Sequence, residues 1–195
     1  MKKQPQIILA SASPRRRELL KILDINFIVD FSKVDEVVPE GIPPSKVVEV
    51  LALKKAKEVA IKYQEGLIVG ADTIVVLDDK ILGKPKDEDE SLSMLLSLQN
   101  RKHKVYSGIA IVDGLTKTEI SDHEVTEVEF RPIDKDEALR YINSSDSPKG
   151  KAGSYAIQGK GAIFVKRIDG DYFNVVGLPL FKLANMLSNF GIKIV

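Results

Sequence analysis

The stretch GLIVGADTIVVLDD, residues 66–79, sets an aspartate inside a near-continuous run of isoleucine and valine. Glycine and the turn-forming pair Asp78-Asp79 bound the run, which predicts a strand buried on both faces. Such a strand needs helices against its faces, so we expect an α/β protein. Asp72 is the exception in the run, because its apolar neighbours would strip water from its carboxylate.

Asp72 has two interpretations. An unpaired buried carboxylate is costly, so a cation, a metal ion or backbone donors should lie near it. Asp72 is either a residue at the strand end that caps a turn, or a general base and metal ligand in a cleft. Both interpretations fit the sequence of this stretch.

A cluster of arginines opens the first predicted helix. Ser13 is its predicted N-cap and Pro14 its first residue, and three cations follow: Arg15, Arg16 and Arg17. A helix N-terminus carries unpaired N–H groups and a partial positive charge, so each exposed cation there costs about 0.3–1 kcal/mol. A bound anion reverses that sign, and phosphate is the usual one. The pattern therefore favours a phosphate site at this helix start.

The rest of the chain alternates strands and helices. We predict strands at residues 6–10, 27–30, 66–77, 104–112 and 118–130, and a closing hairpin that turns at Asp169-Gly170. We predict helices at residues 14–23, from the cap Ser45 to Tyr63, and at 88–98, 134–143 and 178–189, with a proline-bearing loop at 34–44. Some strands must run antiparallel, so the expected architecture is a mixed α/β sheet in a single domain, residues 1–195.

The composition excludes several classes of protein. The chain has 195 residues, of which 44% are hydrophobic and 29% charged, so it is globular and not disordered. A net charge of +1 disfavours a broad nucleic-acid surface, and the absence of cysteine excludes disulfides and thiolate chemistry. The apolar runs are too short to span a bilayer, and no signal-peptide pattern follows Met1. We expect a soluble, cytoplasmic protein.

Polar residues elsewhere remain open to two readings each. Lys55 falls near the middle of an apolar helical arc, where it either snorkels to solvent or turns inward. Lys84 is a loop lysine, a type of residue that is usually solvated. Asp35 and Glu36 share a loop, where paired acids either hold a divalent cation or are simply solvated. Gln158 is followed by GKG, whose glycines permit close approach of a ligand or merely form a bulge.

Common nucleotide and hydrolase templates fail. Gly83-Lys84 runs into Pro85, so there is no Walker-type loop, and the GKG sequence lacks the last glycine of GxGxxG. His103 and His123 lie in unrelated contexts, which gives weak support to a zinc site or a serine–histidine triad. What remains is a set of cations from three segments and two groups of acids. That set suits a polyphosphate bound with a divalent metal, and a carboxylate that activates water.

Five segments together resemble the Maf family of nucleoside triphosphate pyrophosphatases, in order and spacing. They are ILASASPRRRELL, LALKKAKEVA, VGADTIVV, LGKPKDEDE and AGSYAIQGKGAIFVKRIDGDYFNVVGLPL. The similarity runs from Ile7 to Leu187. It implies an elongated α/β fold of the Maf/ITPase type, with a central mixed sheet, flanking helices, a nucleotide-binding cleft between two lobes and, often, a homodimer.

The resemblance also implies a reaction and a site. The reaction is hydrolysis between the α and β phosphates, with Asp72 as proton acceptor and a divalent cation, Mg or Mn, near Asp72 and Glu36. The residues that match triphosphate-binding positions are Ser11, Ser13, Arg15, Arg16, Lys55 and Lys84. Arg15, Thr73 and Gln158 match the dTTP/UTP branch of the family, whereas GADT differs from the branch that acts on 7-methyl-GTP. A glutamine amide can pair with the carbonyl and N–H edge of thymine or uracil.

We therefore expect a nucleoside triphosphate diphosphatase that acts on dTTP, UTP and modified pyrimidine nucleotides. Such an enzyme keeps modified nucleotides out of nucleic acid and affects cell division, and neither nucleic acid nor membrane is an expected partner. One alternative is a nucleotide-binding regulator of septum formation that acts through a partner without turnover. A retained water-activating carboxylate at Asp72 argues against it. A nucleic-acid binder is disfavoured by the near-neutral charge and the lack of interleaved aromatics.

Overall fold

A computed structural model describes residues 4–31, 33–34, 41–144 and 150–195. The strands are β1 (Ile7–Leu9), β2 (Phe27–Val29), β3 (Leu67–Leu77), β4 (Lys80–Leu82), β5 (Lys102–Asp113), β6 (Glu119–Phe130) and β7 (Val165–Asp169). The helices are α1 (Pro14–Ile22), α2 (Pro44–Ala60), α3 (Glu88–Leu98), α4 (Lys135–Ile142), α5 (Tyr172–Val176) and α6 (Leu180–Ser188), with 3₁₀ turns at Ala152–Ser154 and Lys160–Phe164. None of these helices has the length and hydropathy needed to cross a membrane.

The seven strands form one mixed sheet in the order β2-β1-β3-β5-β6-β7, with β4 paired to β3. β1 runs parallel to both β2 and β3, and β7 runs antiparallel to β6. Helix α1 makes the crossover between the parallel strands β1 and β2. The predicted mixed α/β sheet is confirmed.

The backbone conformation of Asp78 and Asp79 forms the predicted turn after β3. Asp78 and Asp79 both adopt positive φ, 46° and 63°, the combination that two-residue hairpin turns require and that aspartate tolerates. The turn leads into β4, which pairs antiparallel with the end of β3. The turn is confirmed, whereas the short strand β4 was not predicted from the sequence.

Two local predictions are wrong. Helix α2 begins at Pro44 with Pro43 as N-cap and without a side-chain cap, so Ser45 lies inside the helix. Proline is favoured at a first helical position because its fixed φ suits the helix and it has no N–H to leave unpaired. After Gly170 the chain does not return as a strand: it forms α5, and the Asp171 carboxylate accepts a hydrogen bond from the Phe173 amide, 2.7 Å away.

The chain divides into two compact units, of which the first comprises residues 1–72, 107–124 and 177–195. Its core includes an apolar face of α2, formed by Ala52, Ala56 and Val59, packed with Ile8 and Ile68 of the strands. The backbone of α2 approaches the strands very closely at two glycines. A Cβ added at Gly70 would lie 2.2 Å from the Ala52 carbonyl oxygen, and one at Gly108 would lie 2.2 Å from the Val48 carbonyl oxygen. Glycine at both positions therefore lets the α2 backbone rest directly on the strands.

The second unit comprises residues 73–106 and 125–176, and its core is rich in aromatic rings. Phe130 meets Tyr155 edge-to-face at 4.7 Å, and Tyr141 meets Phe164 at 5.0 Å. His103 is buried among these rings, and its Nε2 lies 2.8 Å from the Tyr155 hydroxyl. Among the described residues its Nδ1 has no hydrogen-bond partner. Burial lowers the pKa of His103 to about 4 and raises the pKa of Tyr155, so both side chains are neutral at pH 7.

Gly70→Ala should destabilise the protein strongly, because its methyl group would collide with a backbone carbonyl that no rotamer change can move. We expect a loss of about 3 kcal/mol in the free energy of unfolding, measured by urea denaturation. Gly83→Ala is the matched control, since a Cβ there meets no atom within 4 Å. Equal stability of the two variants would contradict the close packing of α2 on β3.

His103 should make stability fall as the pH drops from about 6.5 to about 4. Between these two pH values His103 is protonated in the unfolded chain, where its pKa is the ordinary 6.5, and stays neutral in the folded protein. Acid therefore favours the unfolded state. The free energy of unfolding should fall by about 2 kcal/mol more between pH 7 and pH 4.5 in the wild type than in His103→Gln. Identical pH dependence of the two proteins would show that the ring is not buried in its neutral form.

Candidate active site

Asp72 meets a cation in the first unit. Its Oδ1 lies 2.5 Å from Nζ of Lys55, and the two side chains are only 10% and 14% exposed. Asp72 stands within β3 and not at its end, so the interpretation as a turn-capping residue is wrong. Lys55 turns inward from α2, so the snorkelling interpretation is wrong as well. By contrast, Lys62 near the end of the same helix is exposed and pairs with Asp30, 2.9 Å away.

The loop from β1 to α1 is shaped by two serines. Ser13 is the N-cap of α1, and its hydroxyl accepts a long hydrogen bond from the Arg16 amide at 3.5 Å. The Ser11 hydroxyl accepts from the Ser13 amide at 3.2 Å and from Nη1 of Arg16 at 3.3 Å. The predicted cap and first residue of this helix are confirmed. The loop therefore folds back on the start of its own helix.

Arg16 ties that loop to the strand that carries Asp72. Its Nη1 donates to the carbonyl of Ala71 at 2.9 Å, and its Nε donates to the carbonyl of Gly177 at 2.9 Å. Guanidinium groups donate in a fixed planar fork, so these bonds set the position of the whole group. Arg16 thus places the loop of Ser11 next to the residue that precedes Asp72.

The two neighbouring arginines differ from Arg16. Arg15 is half-buried at the start of α1, and Arg17 is exposed. The Arg16 side chain points toward Ser11, Ala71 and Gly177. The Arg17 side chain points in a different direction, because consecutive residues of a helix do not lie on the same side. The three cations at this helix start therefore do not share one environment.

The other predicted binding residues lie elsewhere in the chain. Thr73 follows Asp72 in β3 and is half-buried. Because successive side chains of a strand point to opposite faces, its side chain lies on the face opposite that of Asp72. Lys84 is exposed in the loop after β4, and Gln158 is half-buried before a 3₁₀ turn. All three belong to the second unit. The predicted metal ligand Glu36 lies outside the described residues, as does Asp35.

The glycines after Gln158 have a structural explanation. Gly159 has a φ of 85°, and a Cβ on Gly161 would lie 2.3 Å from the Ala156 carbonyl oxygen. The chain therefore packs against its own backbone over residues 156–161 before it enters β7. This favours the bulge interpretation of the GKG sequence, in the form of a tight 3₁₀ turn.

A group of three titratable residues in the first unit was missed by the sequence reasoning. Glu49, Asp122 and His123 offer donor atoms that lie within 4.8 Å of one another, and no other such group could hold a metal ion in the described ranges. Oε1 of Glu49 lies 2.5 Å from Nδ1 of His123, and its Oε2 lies 2.7 Å from Nζ of Lys46. The one sequence signal is that Glu49 falls at the border of the apolar arc of α2.

Cations already neutralise the carboxylates of that group. Lys182 Nζ lies 3.0 Å from Asp122 Oδ2 and 3.8 Å from Glu124 Oε2. Burial works to raise the pKa of Asp122, but hydrogen bonds from Lys182 and the His123 amide outweigh it and hold the pKa below its ordinary value. The arrangement is an ion-pair network that links α2, β6 and α6.

Known proteins resemble the whole chain. A family described as Maf-like protein matches residues 6–190. The dTTP/UTP pyrophosphatase of Desulforamulus reducens is 50% identical over 189 residues, which cover 97% of this chain and 98% of that protein. The dTTP/UTP pyrophosphatase of Pelotomaculum thermopropionicum is 48% identical over the same shares of each chain. A solved HAM1 protein from Coxiella burnetii aligns with a TM-score of 0.55 over 95% of this chain and 100% of its own, at 15% identity, a likeness of fold alone.

Replacing Lys55 by methionine should destabilise the protein by about 3 kcal/mol, because Asp72 is left buried without its counter-charge. Lys57→Met is a matched control on the same helix: it removes an exposed pair with Glu119, 52% and 42% exposed, and should cost less than about 1 kcal/mol. In a double-mutant cycle, Lys55→Met with Asp72→Asn should lose less stability than the sum of the single variants. Strict additivity would mean that the pair does not couple.

Proposed function

The chain belongs to the Maf-like protein family, and from this premise we propose that it hydrolyses dTTP and UTP to the nucleoside monophosphate and pyrophosphate. Relatives about half identical over nearly the full length are named dTTP/UTP pyrophosphatases. Because the family match spans residues 6–190, we propose that the chain is one functional domain over residues 1–195. The enzyme is thus a nucleoside triphosphate diphosphatase that acts on dTTP, UTP and modified pyrimidine nucleotides.

One observation carries the proposed mechanism. A buried carboxylate, Asp72, pairs with Lys55 at 2.5 Å, and Arg16 bonds the carbonyl of the preceding residue from a serine-lined helix start. The Asp72 carboxylate thus contacts one cation, and a second cation, which also bonds the Ser11 hydroxyl, contacts the residue before it. In the proposed mechanism these groups serve the attack of water on the phosphoanhydride bond between the α and β phosphates.

In the proposed reaction a water oxygen attacks the α-phosphorus, and Asp72 takes a proton from that water. The new P–O bond forms as the bond from the α-phosphorus to the α–β bridging oxygen breaks. Pyrophosphate leaves with that electron pair, and the nucleoside monophosphate remains. Lys55 neutralises negative charge beside Asp72, which allows a polyanion to approach a carboxylate.

Of the remaining predicted residues, we assign some to binding the phosphates of the substrate and others to binding its base. Ser11, Ser13, Arg15, Arg16 and Lys84 bind the triphosphate in this proposal, since hydroxyls and cations suit phosphate oxygens. Arg16 has a double role, because its bonds to Ala71 and Gly177 also hold the loop between β1 and α1 in place. Gln158 reads the carbonyl and N–H edge of the base. Thr73 is proposed as a further residue of the base site, because it matches the dTTP/UTP branch of the family.

A divalent cation, Mg or Mn, fits the donor chemistry of Asp72. A carboxylate has about four lone-pair sites on two oxygens, so Asp72 can accept from Lys55 and still ligate a hard cation. Glu36 is the second proposed ligand. The bound cation would neutralise charge on the phosphate oxygens. The group of Glu49, Asp122 and His123 is a poorer candidate, because lysines already occupy its carboxylates.

The proposed activity has cellular consequences. Hydrolysis of modified pyrimidine triphosphates keeps them out of nucleic acid, and a cytoplasmic enzyme of this kind affects cell division. The substrate is the proposed partner, together with a second copy of the chain in a homodimer. A regulator of septum formation that binds nucleotide without turnover is an outcome of the test that follows.

Asp72→Asn should lower kcat for dTTP and UTP at least about 100-fold, because an amide cannot accept the proton. The assay resolves monophosphate and pyrophosphate with Mg or Mn present, over a panel that adds CTP, GTP and 7-methyl-GTP. Asp78→Asn is the control, since it changes an exposed carboxylate paired with Arg101 and should leave the rate unchanged. A chelator should abolish turnover in the wild type.

The other outcomes separate the parts of the proposal. Turnover of a different base would retain the chemistry and overturn the roles of Thr73 and Gln158. Full activity of Asp72→Asn would remove Asp72 as the proton acceptor. Binding of nucleotide without turnover of any triphosphate would identify the chain as a binding protein that acts through a partner.

A further inference from the structure

Arg17, which has no role in the proposed active site, lines a separate feature of the surface. An open depression of about 540 Å³ lies beside α1 and β2 in the first unit. Arg17 and Lys21 line it from α1, and Phe27, Val29 and Phe31 line it from β2 and the residues that follow. Among the described residues that line it, two are cations and none is acidic. We call this feature the α1–β2 groove.

The strand in this groove stands at one end of the sheet order. The Asp30 amide donates to the carbonyl of Leu9 in β1, so the backbone groups of Asp30 and Ile28 face β1. Backbone groups alternate along a strand, and those of Phe27 and Val29 therefore point away from β1. An outward row of N–H and C=O groups is a template for an added strand.

The side chains around this edge differ between its two faces. Phe27 and Val29 point into the groove beside the cations, whereas Ile28 points to the other face and is 42% exposed. A strand added to β2 would alternate in the same way. Its residues on the groove side would meet Arg17 and Lys21, and its residues on the other side would meet Ile28.

The spacing of the two cations fits such a strand. Arg17 and Lys21 are four residues apart in α1, a rise of about 6 Å along the helix. Alternate residues of an extended strand are about 6.6 Å apart. Two acidic side chains at positions i and i+2 of an added strand can therefore each reach one cation.

We propose that the α1–β2 groove binds an extended acidic segment of a partner protein, which adds as a strand to β2. Acidic residues at alternate positions pair with Arg17 and Lys21, and apolar residues between them cover Ile28. Main-chain hydrogen bonds to Phe27 and Val29 provide affinity, and the charge pattern provides specificity. This surface serves recognition of another protein, separately from hydrolysis of nucleotides.

The test uses the full chain and a synthetic heptapeptide of alternating valine and glutamate, followed by fluorescence anisotropy. Reversal of both cations, Arg17→Glu with Lys21→Glu, should weaken binding at least tenfold. Lys135→Glu with Arg140→Glu is the control, because it makes the same change of charge on exposed residues of α4 and should bind normally. Hydrolysis of dTTP should be unchanged in both variants, which separates this test from that of the proposed function.

Two further measurements decide the geometry and the class of ligand. Hydrogen exchange should slow at the amides of Phe27 and Val29 when the peptide binds, and a peptide with its glutamates and valines in separate blocks should bind at least tenfold more weakly. Equal binding by the block peptide, or no protection of these amides, would overturn strand addition. Displacement of the peptide by inorganic triphosphate at constant ionic strength would assign the groove to phosphate ligands and overturn the proposal.

Discussion

The close approach of α2 to the strands at Gly70 and Gly108 is the constraint on which the candidate site depends. At these positions a helix carbonyl occupies the space that any side chain would fill. The helix therefore sits low enough for Lys55, one turn beyond Ala52, to reach a carboxylate two residues beyond Gly70. A half-buried lysine and a buried aspartate would each be costly alone, and the packing of α2 is what makes them a pair.

In the same unit, three arginines lie at the N-terminus of α1, where the helix carries a partial positive charge. Three consecutive arginines would be unfavourable there if all lay against the helix end. The structure distributes them: Arg16 is fixed to carbonyl oxygens, Arg15 is half-buried, and Arg17 faces the groove beside β2. A short sequence motif thus fixes the loop between β1 and α1 through Arg16 and presents Arg17 to a separate surface, because neighbouring helical residues diverge by about 100°.

Periodicity predicted most of the fold, since apolar spacing and turn residues are local signals. It placed β3, the turn at Asp78-Asp79 and helix α3 correctly. It failed at residues 171–176, where a side chain of the segment itself bonds its backbone and a buried Asn174 donates to Val105, which the local pattern does not encode. The pairing of Lys55 with Asp72 could be suspected from two misplaced charges, whereas that of Glu49 with His123 joins residues 74 positions apart and left only a weak local trace.

The placement of the two histidines bears on which group can move a proton. His103 lies in the core of the second unit, where burial keeps the ring neutral and its Nε2 is engaged with Tyr155. His123 is engaged with Glu49 in a network that lysines complete at both ends. Both imidazoles are thus engaged with other side chains, whereas the Asp72 carboxylate follows Ala71, whose carbonyl accepts from Arg16. A carboxylate is therefore the proton acceptor that the proposed mechanism assigns to this site, and in that mechanism the ammonium of Lys55 offsets its charge beside a polyanionic substrate.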